Sequence, residues 1–169
     1  MRAGTSAISA EDHVEGAWSR AGHRFDEPGV AERLAETFYE EGERLSAVGV
    51  LTDAAAQFSE GRFPPTSVDL IRQIVIDERN ASALTTVAES CVEHGEARHL
   101  VAAVRLLGIA HEYNRADTHA LTLLARAFDK MGLEEKARRV EMVLAEIEEE
   151  EPTLPIAVER PFMQSESGA

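Results

Sequence analysis

Aromatic side chains are scarce in this chain. They make up 5 % of its 169 residues, with one Trp and two Tyr, so a core must be assembled from aliphatic and small side chains. Cysteine occurs once. A lone thiol cannot close an internal disulfide, and a reducing, cytoplasmic setting is expected. Long apolar runs are missing as well: nothing approaches the roughly 20 residues that cross a bilayer. The N-terminal stretch "MRAGTSAISAEDH" has no apolar segment fit for a secretory signal. Membrane insertion is not expected. Basic residues are outnumbered, 17 Lys and Arg against 31 Asp and Glu, for a net charge of −14. That balance opposes nucleic-acid binding, which depends on clustered cations, and suits a basic partner.

What is present is helix-forming material. Ala, Leu, Glu and Arg dominate, and the apolar residues recur with helical period. In "GVAERLAETFYEEG", Ala31, Leu34, Ala35 and Phe38 share one face, with glutamates opposite and a stop at Gly42. The following segment buries Leu45, Val48, Leu51, Ala55 and Phe58 in the same way. Two helices joined by so short a link pack antiparallel. "GRFPPTS" then breaks the chain, and a helix over about 67–79 turns Val68, Ile71, Ile74 and Val75 inward, although its "IVI" also suits a strand. Residues 81–94 and 97–113 form a second helix pair around Gly95, and 118–131 and 134–150 a third around Gly132.

The expected domain division is an N-terminal arm over 1–27, a helical domain over 28–152, and an extended or disordered tail over 153–169 that carries Pro155 and Pro161 just after Pro152. Within the arm, Val14, Trp18, Ala21 and Phe25 fall at the spacing of a short docked helix.

The three helix pairs align on their glycines. Ala35, Ala88 and Ala125 correspond, as do Phe38, Cys91 and Phe128, then Gly42, Gly95 and Gly132, then Ala47, Leu100 and Ala137. A small residue lets two helices approach, a bulky one fills the gap beside it, and glycine ends the first helix left-handed. This order resembles the tetratricopeptide repeat, a helix-turn-helix unit of about 34 residues. The resemblance covers residues 28–60 and 81–152 and is best in "LLARAFDKMGLEEKARRVEMVL". Departures are Cys91 for an aromatic, Leu100 for alanine, a spacing of 37 residues from Ala88 to Ala125, and an inserted helix between the first two units.

The expected fold is therefore all-α: antiparallel hairpins, about six to eight helices in all, stacked as a short tetratricopeptide-like α-solenoid. The resemblance implies a groove lined by the first helix of each pair. Carried over by position, its lining is Glu32, Glu36 and Tyr39, then Thr85, Glu89 and Val92, then His119, Thr122, Arg126 and Asp129. Only Arg126 is basic among them, so a clamp for a terminal carboxylate is not expected. Size and acidity also resemble the small chaperones of bacterial type III secretion.

No constellation points to catalysis, and no cofactor is expected. "HEYNR" at His111–Arg115 lacks the second histidine of a zinc-protease helix, and "GRFPPTS" lacks the lysine of a phosphate loop. Cys91 falls at a packing position with no cation nearby. His94 and His99, with Glu93 and Glu96, flank a turn, and five residues is a poor spacing for one helical face, so no metal is expected. The function implied is a non-catalytic interaction module, adaptor or chaperone-like, that holds a basic or partly apolar segment of another protein. The alternative is a structural subunit of a homo-oligomer or larger assembly.

Overall fold

The computed structural model describes residues 25–150, which form seven α-helices and no strand. They are α1 (Pro28–Glu40), α2 (Arg44–Phe58), α3 (Pro65–Glu78), α4 (Ser82–His94), α5 (Ala97–Tyr113), α6 (Thr118–Lys130) and α7 (Glu134–Glu150). The expected arm helix around Val14, Trp18 and Ala21 and the tail over 153–169 lie outside the described residues.

The punctuation follows local chemistry. Pro28 and Pro65 open α1 and α3 at positions where the missing N–H costs nothing. Asp117 caps α6 by accepting a hydrogen bond from the Ala120 N–H at 3.1 Å. α1 and α6 end with the same pair of bonds. The Gly42 N–H donates to the Tyr39 carbonyl and the Glu43 N–H to that of Phe38; Gly132 and Leu133 donate to Asp129 and Phe128. Both are Schellman endings with a left-handed glycine, so the aligned "Phe…Gly" spacing in these units is a backbone device as well as a packing one. α4 ends more simply, with one bond from the Gly95 N–H to the Cys91 carbonyl.

Three antiparallel pairs result: α1 with α2, α4 with α5, and α6 with α7. α5 and α4 both pack on α6, and α2 packs on α4 and α5. The aligned small residues sit where they were expected, with Ala35, Ala47, Ala88, Ala125 and Ala137 all buried. The stretch containing "IVI" is helical, and Val68, Ile71, Ile74 and Val75 are all buried.

α2 differs from expectation. It is not an amphipathic surface helix: Ser46 through Asp53 are buried without a break, as are Ala55 and Ala56, while Phe58 at its end is exposed. The reason is its position, with α1, α3, α4 and α5 packed around it. Thr52, buried there, is met locally, its hydroxyl donating to the Val48 carbonyl at 2.7 Å.

α3 packs on α1 and α2. The Thr66 hydroxyl donates to Glu32 at 2.7 Å, Arg44 pairs with Glu78 at 2.6 Å, and Arg72 pairs with Glu112 of α5 at 3.0 Å. These pairs are partly solvated and worth about 1 kcal/mol each, so the buried aliphatic face is what holds α3 in place. Phe25 also belongs to this core. It is buried, and its backbone N–H and C=O bond both ends of the Gln57 amide, at 2.9 and 2.6 Å. The helical core thus begins before Pro28.

Candidate protein-binding face

A groove of first helices requires α1, α4 and α6 to lie side by side. α4 and α6 do pack directly, whereas α1 packs on α2 and α3. The ten residues expected to line the groove therefore separate into groups.

Glu32 faces α3, where Thr66 occupies it. Tyr39 lies at the α1–α2 turn with the Arg44 guanidinium 5.7 Å above its ring. Glu36 is exposed on α1. Two other positions are corrected. Val92 is fully buried in the main core, and Thr85 is buried with its hydroxyl donating to the Ser82 carbonyl at 2.9 Å. Neither lines an open surface, because α4 is enclosed by α2, α5 and α6 on the side they occupy.

The remaining five converge. His119, Thr122, Arg126 and Asp129 recur at helical spacing along α6, and all four are exposed. Glu89 of α4 adjoins them, its carboxylate 3.8 Å from the His119 imidazole. Behind this face the Lys130 ammonium donates to the Val92 carbonyl at 2.7 Å. That carbonyl is among the last four of α4, which have no partner within their own helix. The bond therefore ties the C-terminal ends of α4 and α6 together, with a cation where the α4 dipole favours one.

Cys91 is buried, and burial together with the nearby Asp53 carboxylate pushes its thiol up to about 12, the opposite of an activated nucleophile. A cleft between α1, α2 and α3, lined by Pro28, Glu32, Leu51, Phe58 and Pro64, holds about 20 Å³, room for a single water.

One group of donors, set aside as a metal site on its sequence spacing, is brought together by the fold. Across the α4–α5 turn, ligand atoms of His94, Glu96 and His99 all lie within 4.8 Å of one another, and the two imidazole rings stack at 3.9 Å. Helical-face spacing missed them because the left-handed Gly95 reverses the chain between the two histidines. Desolvation lowers the pKa of His99, with His94 adding to the effect; the Arg98 hydrogen bond lowers that of Glu96. His111 and His119 do not join this group. The chain matches no family model, no curated protein and no solved structure.

Proposed function

We propose that the protein is a non-catalytic interaction module of tetratricopeptide-like helix pairs that binds a segment of a partner protein. The observation that carries this reading is the α4–α6 face, where exposed His119, Thr122, Arg126 and Asp129 and half-buried Glu89 form one stripe on two directly packed helices. Rigid helices hold such side chains in place before a partner arrives, which reduces the entropy lost on binding. The net charge of −14 favours encounter with a basic segment. Arg126 within the stripe offers one complementary contact for a carboxylate.

The test is binding of arrayed peptides graded from acidic to basic, measured for the full chain and for Glu89→Lys, Asp129→Lys and Glu36→Lys. Basic peptides should bind best. Glu89→Lys and Asp129→Lys should weaken them, while Glu36→Lys, on a helix outside the α4–α6 contact, should not. Equal losses in all three variants would mean that bulk charge acts rather than a site.

A second reading, a subunit of a homo-oligomer, is favoured by α7. Only Ala137 of that helix is buried, Val140, Leu144 and Ile147 are half-covered, and Met142 and Val143 are exposed. Light scattering on the full chain distinguishes the two. A defined oligomer dispersed by Val143→Glu would support the subunit reading, and a monomer would support the adaptor.

A further inference from the structure

We propose that His94, Glu96 and His99 form a binding site for a transition-metal ion of the zinc, cobalt or nickel type, at the turn between α4 and α5. The site uses none of the residues of the α4–α6 face and does not depend on that reading.

Geometry is the first argument. Two donors held at 2.0–2.1 Å by one tetrahedral ion stand about 3.4 Å apart. The His99 Nδ1 and Glu96 Oε2 atoms are already 3.7 Å apart. The set of three, including His94, spans no more than 4.8 Å. His94 and Glu96 are exposed, so side-chain rotation alone closes the remaining gap, and no core atom has to move.

The second argument is an unmet bond. His99 Nδ1 is buried and makes no hydrogen bond. A ring nitrogen withdrawn from water without a partner is a cost to the fold, and a metal ion would remove it.

The third is a firm backbone. The Gly95 N–H is bonded to the Cys91 carbonyl at 3.2 Å, and the Leu100 N–H to that of Glu96 at 2.9 Å. From the other side, the loop after α2 presses Gly61 against the Arg98 carbonyl. The turn that carries the three donors is therefore fixed at its base, as a metal site requires.

Donor chemistry selects the ion. Two imidazoles and one carboxylate suit zinc, cobalt or nickel, whereas magnesium and calcium prefer oxygen alone. Three protein ligands leave a coordination position for water or for a donor from another molecule. One group opposes binding. The Arg98 Nε donates to Glu96 Oε2 at 2.8 Å, so it competes for that oxygen and places a positive charge beside the ion.

The test is titration of the full chain with Co²⁺, followed by its visible absorption, and displacement of Co²⁺ by Zn²⁺ followed by calorimetry. Circular dichroism checks that each variant keeps its helicity. One equivalent should bind. His94→Ala and His99→Ala should each weaken binding by about tenfold or more. Arg98→Ala should tighten it several-fold, a gain that non-specific attachment to histidine would not show. His111→Ala and His119→Ala should leave it unchanged. No saturable binding, or an affinity that survives loss of both His94 and His99, would overturn the site. So would equal losses in all four histidine variants, and an unchanged affinity in Arg98→Ala would remove Glu96 from it.

Discussion

Replacing Gly61 by alanine should be among the most damaging single-methyl changes in this protein. Two costs act together. Gly61 has φ +92°, where a residue with a Cβ loses about 1–2 kcal/mol. Its added Cβ would also lie 2.0 Å from the Arg98 carbonyl oxygen and 3.0 Å from the Val101 Cβ. Neither neighbour is the free end of a flexible side chain. Relief requires moving the first turn of α5, and with it the buried Leu100, and overpacking of that kind costs about 1–3 kcal/mol more. The expected loss is about 2–5 kcal/mol, a large share of the total stability of an ordinary domain. Two other glycines separate the terms. Gly132 has φ +74° but nothing within 4 Å of a built Cβ, so Gly132→Ala should cost about 1 kcal/mol through backbone conformation alone. Gly108 lies inside α5 with equally open space, and Gly108→Ala should stabilise by about 1 kcal/mol. Urea unfolding followed by circular dichroism ranks the three. A Gly61→Ala variant no less stable than Gly132→Ala would refute the close approach of the α2–α3 loop to α5.

Three further outcomes follow from the packing. Cys91 in the native protein should resist alkylation at pH 8 and react only on unfolding. Because its folded pKa of about 12 lies above the ordinary value of 9.0, the stability tied to it is complete below pH 9 and falls by about 1.4 kcal/mol per pH unit from there towards 12; a melting temperature flat from pH 8 to 11 would contradict this. Lys130→Met should cost about 1–2 kcal/mol by leaving the Val92 carbonyl unmet, and hydrogen exchange should quicken first at the C-terminal end of α4. Ala88→Phe, at a fully buried contact, should destabilise by about 1–3 kcal/mol, and unchanged stability would mean that α4 is not closely packed there.

Helix positions were legible in the chain because their signals are local. Prolines, left-handed glycines and the apolar period place the described helices to within a residue or two, and the stripe Val68, Ile71, Ile74 and Val75 is the one observed in α3. α2 was misread because Ser46, Thr52 and Asp53 look like a polar face. Thr52 is satisfied by its own helix, which lets a polar side chain be buried without any outward sign in the sequence. The groove was legible only in part. Positional alignment finds α6 and Glu89, but it cannot know that α3 lies against α1, so Glu32 was assigned to a surface where Thr66 now meets it. Val92 and Thr85 fail for the same reason, since burial at those two positions depends on which helices enclose α4.

The enclosure of α2 by helices that come both before and after it in the chain has a consequence for synthesis. A chain emerging from the ribosome completes α1, α2 and α3 first, yet α2 then still shows bare the surfaces that α4 and α5 later cover. α6 and α7, by contrast, close on each other through a turn of three residues as soon as both have emerged. Of the described helices, those made earliest are thus the ones that must wait, and a chain cut short and released after Asn80 would present an aliphatic helix that chaperones and aggregation both recognise.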